Sequence, residues 1–239
     1  GFVGTVTAAG TETITLSAAG TASGLAAVET YVLAAGSQSF TLGASGQNVT
    51  LDSTGSSGSV AISTGTLTSV TGTLDDGTGN DTIALTLATT GVDISSANTT
   101  DVDSIALASD VSATMTTAQN ALITSAAGTN TVTLSNAGTV SGNAAVESYV
   151  LAAAGSSAFT LGDDTQSVTT GGSGTDTIVV GTRTLTGTFT TVSGDTVSLD
   201  TGANISGVDG EGVGAGSALA ADKLTLVSGA SVTMTAAQN

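Results

Sequence analysis

Gly171–Val179 reads GGSGTDTIV: two glycines, a third two places on, an aspartate, and then aliphatic residues. Glycines at this density let the backbone turn through conformations that other residues avoid. The aliphatic residues then start a strand that anchors the turn. A corner followed by a short strand is therefore the unit to look for in the rest of the chain. It recurs: Thr11–Leu16 (TETITL), Thr129–Leu134 (TNTVTL), Thr182–Thr188 (TRTLTGT) and Asp195–Leu199 (DTVSL) alternate threonine or serine with aliphatic residues. Such period-two alternation marks half-buried strands, and clusters of Gly, Asn, Asp and Ser between them mark turns. Helical periodicity is confined to Thr116–Ile123 and Ser217–Asp222, each long enough for one turn.

The chain is one unit written twice. Ala8–Ser17 (AAGTETITLS) matches Ala126–Ser135 (AAGTNTVTLS), and Ala27–Ala35 (AVETYVLAA) matches Ala145–Ala153 (AVESYVLAA). Phe40-Thr41-Leu42-Gly43 matches Phe159-Thr160-Leu161-Gly162, and Met115–Asn120 (MTTAQN) matches Met234–Asn239 (MTAAQN). Chance in a Thr/Gly-rich chain does not place Tyr31/Tyr149, Phe40/Phe159 and Glu29/Glu147 in one register. Two repeats of about 119 residues result, 1–120 and 121–239, read as part of a longer tandem array. The middles differ, LDDGTGNDTIAL from Leu74 against VSGDTVSL from Val192, as expected of a loop that tolerates insertion.

Two all-β architectures accommodate this pattern. The first is a parallel β-solenoid, of β-helix or β-roll type, in which coils stack and bury an aliphatic ladder. The second is a pair of tandem β-sandwich domains, one per repeat. Sandwich cores carry several large aromatics, whereas this chain has four Phe, two Tyr and no Trp. Small aliphatic residues and Gly-rich corners suit a narrow solenoid, which is the expected fold.

Composition narrows the function. The chain has 239 residues, with 33 Gly and no Pro, Cys or His; Arg183 and Lys223 stand against 19 carboxylates, giving a net charge of −17. With 39% hydrophobic residues it is not a disordered acidic segment. Two cations cannot neutralise a nucleic-acid backbone or hold an anionic membrane. No apolar run reaches the roughly 18 residues of a membrane span. Without His or Cys there is no ordinary general base or thiol nucleophile, so no enzymatic activity is expected.

Gly171, Gly172, Gly174, Asp176 and Ile178 fill every specified position of the nonapeptide G-G-x-G-x-D-x-U-x, U being a large aliphatic. Asp76–Ala84 (DGTGNDTIA) fills four, through Gly77, Gly79, Asp81 and Ile83, with Asp76 in the place of the first glycine. On these motifs, and on its Cys-free, Lys-poor, Ala/Gly/Thr/Ser-rich composition, the chain resembles the repeats-in-toxin group of secreted bacterial proteins, especially its surface-layer and adhesin members. The resemblance implies an extracellular or cell-surface, calcium-dependent solenoid with a structural role. Calcium would be held by Gly171, Gly172, Gly174 and Asp176, with Asp163 and Asp164 within reach, and by Asp76, Gly77, Gly79 and Asp81. Carboxylate oxygens and inward-turned carbonyls are the hard donors that this ion takes. Each motif stands nearly alone, however, and the copy 1 counterpart of Gly171–Ile178 is STGSSGSV (Ser53–Val60), without a carboxylate. The same residues therefore also read as plain coil corners.

Glu29 and Glu147, placed alike before Tyr31 and Tyr149, read as structural residues bonded to a neighbouring turn rather than as a glycosidase acid pair. Thr182–Thr190 (TRTLTGTFT) resembles an ice-binding threonine ladder, but its counterpart Thr64–Gly72 does not keep the threonines in step. The expected function is structural: a secreted protein that associates with itself into a surface layer, filament or fibrous adhesin. Cell-surface polysaccharide is a second candidate partner. The alternatives are a passive spacer within a giant adhesin and, less favoured, an ice-binding solenoid.

Overall fold

A computed structural model describes residues 10–34, 36–52, 58–78, 81–210, 218 and 223–239. The chain is a parallel β-solenoid of about ten turns, almost free of helix. It divides into two compact units. One comprises Gly1–Ala113 with Leu122–Gly128, the other Thr114–Ala121 with Thr129–Asn239. The end of copy 1 thus packs within the second unit, and the start of copy 2 within the first.

In the first unit the coils build two parallel sheets, one of four strands and one of six. One sheet stacks Thr13–Leu16, Thr30–Ala34, Asn48–Asp52 and Leu74–Asp75. The other stacks Gly20–Ser23, Ser37–Thr41, Ser59–Ser63, Thr82–Leu87, Ser104–Leu107 and Ile123–Ala126. The second unit repeats the plan. Thr131–Leu134, Ser148–Val150, Ser167–Thr169, Thr188–Thr190 and Asp209–Gly210 form one stack. Thr139–Ser141, Ala158–Thr160, Thr177–Gly181, Thr196–Leu199 and Lys223–Leu226 form the other. Every one of these pairings is parallel, which excludes the tandem sandwich, whose sheets are antiparallel.

Alternation explains the core. In Thr30–Ala34 the side chains of Tyr31 and Leu33 are buried, and the residues between them are not. Because register is kept from coil to coil, like faces like along the stack. Phe40, Ile62, Leu85, Ile105 and Ile123 form one ladder of the first unit. Val140, Phe159, Ile178, Val197 and Leu224 form one of the second. Each fully buried Leu, Ile or Phe contributes about 1.5–3 kcal/mol of transfer free energy. The aromatics meet across the core, Tyr31 with Phe40 at a ring-centroid distance of 4.8 Å and Tyr149 with Phe159 at 4.7 Å. Tilts of 51° and 50° keep the edge of one ring against the face of the other.

The helical turn expected near Thr116 is present as Thr117–Asn120, closed by a capping box between Thr116 and Gln119. The other expected turn, at Ser217–Asp222, lies outside the described residues apart from Ala218, as do residues 53–57 of the STGSSGSV segment. Thr182–Thr188 is not the strand its alternation predicted. Gly181 turns with φ +68°, Thr184 forms an isolated bridge to Asn204, and a strand begins only at Thr188. The alternation there reflects a short corner that still points Leu185 inward. No helix among the described residues is long and apolar enough to cross a membrane, which leaves β-barrels unaddressed.

Candidate functional site

The residues repeated between the copies tie one coil to the next. Gln47 Oε1 accepts the Gly43 N–H at 2.7 Å, while its Nε2 donates to the carbonyls of Leu25 and Val28 at 2.7 and 2.9 Å. Gln166 repeats the clip with Gly162, Asn143 and Val146. Both side chains are 1% exposed, so they supply partners to corner groups that water cannot reach. Glu29 Oε2 accepts the Glu12 N–H at 2.9 Å, and Glu147 Oε2 the Asn130 N–H at 2.7 Å. The Glu12 N–H holds the Glu29 carboxyl below its usual range. These are the coil-to-coil bonds expected of a structural glutamate.

Tyr149 lies between coils. Its hydroxyl accepts the Asn143 N–H at 2.8 Å and donates to Asn120 Oδ1 at 3.1 Å. Burial pushes the phenol up to about 12, against an ordinary 10.0, and the nearby Glu147 charge acts in the same direction. The folded state therefore holds this proton more tightly than the unfolded state. Its contribution to stability is complete below about pH 10 and is lost as pH rises through about 12. Urea titrations should show stability declining across this window, and Tyr149→Phe should remove the part of the slope due to this group.

The nonapeptide at Gly171–Val179 is a coil corner. A Cβ on Gly172 would lie 1.5 Å from Ala153 O, and one on Gly174 would lie 1.6 Å from Gly155 O. These two glycines are needed because backbone passes against backbone, and Gly172 also turns with φ +90°. Asp176 is 2% exposed. Its Oδ1 accepts the Ser157 N–H of the preceding coil at 2.7 Å, and the Gly171 N–H also faces the carboxylate. Burial raises its pKa, and the charge of Asp195 adds to the shift.

Asp195, one coil on, was not among the candidates from sequence. It is fully buried. Its Oδ1 accepts the Asp176 N–H at 2.8 Å, and its Oδ2 accepts the Val192 N–H at 3.0 Å and the Thr170 hydroxyl. Asp81 holds the matching place in the first unit, where it accepts the Gly58 N–H. The shared run DTIAL/DTVSL at Asp81 and Asp195 was the available signal. What it lacked was the identity of the group opposite, which lies a whole coil away.

Asp163 and Asp164 are not gathered with Asp176. Asp163 accepts the backbone N–H and hydroxyl of Thr165 at 2.9 and 2.8 Å. Those bonds hold its carboxyl below the usual range. Asp164 pairs with Arg183 at 3.2 Å.

Among the described residues, three acidic side chains converge at one point. Asp75, Asp76 and Asp101 each place a carboxylate oxygen within 4.8 Å of the others. Asp75 ends the strand Leu74–Asp75 and Asp76 follows it, and Asp101 comes from the coil after it. Asp75 Oδ1 also accepts the Gly77 N–H at 2.8 Å, which shapes the turn. Desolvation raises the Asp76 pKa, followed by repulsion from Asp101, Asp103, Asp75 and Asp81. Asp81 Oδ2 is buried and without a hydrogen-bond partner. Oxygens bound to one Ca²⁺ at about 2.3–2.6 Å lie within about 5 Å of one another, so this donor set fits the ion. Of the residues expected to bind it in copy 1, Asp76, Gly77 and Asp81 lie in this turn, and Gly79 lies outside the described residues. Asp75 and Asp101 belong to the acidic pairs Asp75/Asp76 and Asp101/Asp103, which read from sequence as solvated turn residues with calcium as their next use; the stacking of coils brings the two pairs together.

Comparison with family models, curated proteins and solved structures finds no match to the chain.

Proposed function

We propose that the chain is a structural, self-associating segment of a secreted bacterial surface protein of the repeats-in-toxin kind, working in a surface layer, filament or fibrous adhesin. One observation carries this reading. The polar residues repeated in both copies, Gln47/Gln166, Glu29/Glu147 and Tyr31/Tyr149, are used to join coils. Repetition has been kept where it stacks the chain upon itself, which is how a load-carrying or lattice-forming element is built. Electron microscopy and light scattering of the purified chain test it: concentration-dependent polymers or sheets are expected. A strictly monomeric chain at all concentrations, with and without calcium, would support the spacer reading instead.

Calcium belongs to this proposal, at Asp75, Asp76 and Asp101 with Asp81 beside them. When bound there the ion would neutralise repulsion that now raises Asp76 and join two consecutive coils through their carboxylates. At a concentration one hundred times its Kd, calcium should stabilise the fold by about 2.7 kcal/mol. The melting temperature should fall in excess chelator. Asp101→Asn should abolish most of the calcium response, whereas Asp163→Asn should leave it intact. An unchanged melting curve in chelator would remove calcium from the account.

A further inference from the structure

One corner is built alike in the two copies, at Ala97–Asp103 (ANTTDVD) and Ala203–Asp209 (ANISGVD). The Asn98 N–H donates to Gly72 O at 3.1 Å, and Asn98 O accepts the Leu74 N–H at 3.1 Å. Asn204 does the same with Arg183 O and the Leu185 N–H, both at 2.8 Å. The Val102 N–H donates to Thr99 O at 3.1 Å, as the Val208 N–H does to Ile205 O at 2.9 Å. Thr99 and Ile205 are buried. The residues flanking each of them, Asn98 with Thr100 and Asn204 with Ser206, stay within reach of solvent.

In both corners the asparagine Oδ1 accepts the hydroxyl and the N–H of the residue two places on. The distances are 2.8 and 3.2 Å from Thr100 to Asn98, and 2.7 and 3.0 Å from Ser206 to Asn204. Such a turn does not need an amide. Asp163 closes the same kind of turn on Thr165 with a carboxylate, at 2.9 and 2.8 Å. Among the described residues, Nδ2 of Asn98 and Nδ2 of Asn204 donate to no group. A chain with 19 carboxylates thus keeps an amide at both corners and leaves its nitrogen unused by the fold.

Asparagine, any residue but proline, then serine or threonine is the acceptor pattern for N-linked sugar, carried on the surface turns of secreted proteins. A threonine-rich chain also produces this pattern by chance, and Asn48-Val49-Thr50 is a further instance. Its geometry is different. Asn48 lies in the strand Asn48–Asp52, and its Oδ1 accepts the Thr73 N–H of the next coil at 2.9 Å, not the Thr50 hydroxyl. Copy 2 has Ser167 in its place.

We propose that Asn98 and Asn204 are acceptor sites for an N-linked hexose, added by a glycosyltransferase of the producing cell from a nucleotide-diphosphate-activated sugar. Nδ2 attacks the anomeric carbon, and a carbon–nitrogen bond forms there. The bond from that carbon to the diphosphate oxygen breaks, the nucleoside diphosphate leaves with the electron pair, and Nδ2 gives up one proton. The hydroxyl two places on holds the amide by its oxygen and leaves the nitrogen open to reaction. A sugar at either corner lies outside the stacked core, so the coils need not move to admit it. The proposal rests on the secreted surface role given above and adds a modification to it.

The test is peptide mapping of the protein recovered from the surface of the cells that make it, cleaved at its aspartates and sequenced by tandem mass spectrometry. Hexose is expected on Asn98 and Asn204 and not on Asn48. Thr100→Ala and Ser206→Ala, produced in the same cells, should each lose the sugar at their own corner, whereas Thr100→Ser should keep it. Circular dichroism shows that each variant folds, and the map of the unaltered protein decides the matter should one fail. Bare Asn98 and Asn204, equal occupancy at Asn48, or sugar retained in a folded Thr100→Ala protein overturn the proposal and leave the surface role standing. Protein found only inside the cell overturns the surface role and this proposal with it.

Discussion

Gly174→Ala is expected to destabilise the second unit by about 3 kcal/mol or more, read from the midpoint of urea unfolding. The added methyl would sit 1.6 Å from Gly155 O and 2.4 Å from its carbonyl carbon. Both obstacles are backbone, and neither can rotate away as a side chain could. The corner would have to lift off the coil beneath it, where Ser173 N donates to Ala153 O at 3.1 Å and Thr177 N to Ser157 O at 2.8 Å. Gly171→Ala supplies the control from the same motif. Nothing lies within 4 Å of a Cβ there, and its φ is not in the left-handed range. That substitution should be neutral or slightly stabilising, since alanine narrows the unfolded ensemble. Equal effects at the two positions would mean that the coils are not packed backbone to backbone at this corner.

Asp195→Ala is the second large effect, again about 3 kcal/mol or more. The carboxylate satisfies the Asp176 N–H, the Val192 N–H and the Thr170 hydroxyl in a site without access to water. Each buried polar group left without a partner costs about 1–3 kcal/mol. Asp195→Asn should fall between alanine and the unaltered chain, because it keeps one acceptor oxygen and turns a donor toward groups that already donate. Asp163→Ala, which loses only exposed bonds to Thr165, should change stability by less than about 1 kcal/mol. Thermal and urea melts of the series decide it. A small loss at Asp195 would show that water enters the corner.

The two predictions divide the motif GGSGTDTIV differently from its first reading. As a string it suggested one function for its three glycines and its aspartate. In the fold Gly171 faces open space, Gly172 and Gly174 admit the neighbouring backbone, and Asp176 caps the coil below. The acidic group with converging oxygens lies instead at Asp75, Asp76 and Asp101, where one donor comes from the following coil. A linear pattern could find Asp76 and Asp81, which sit within one turn. It could mark the acidic pair Asp101/Asp103 but not that Asp101 meets Asp75 and Asp76, which the coil step decides.

The same boundary runs through the whole protein. The strands within Thr11–Leu16, Thr129–Leu134 and Asp195–Leu199, the duplication and the parallel solenoid were legible from the chain alone. Alternation with period two is a local property, and a repeated coil places like residues above like. The alternation in Thr182–Thr188 misled because a short corner can also alternate. Tertiary structure alone decided which N–H each aspartate meets, which glycines carry weight, and to which unit Thr114–Ala121 and Leu122–Gly128 belong. Those outcomes depend on coil length, which changes wherever a corner gains or loses residues. Ser157, Asp176 and Asp195 align because two successive coils both advance by 19 residues. A single insertion would have set each carboxylate against a different group.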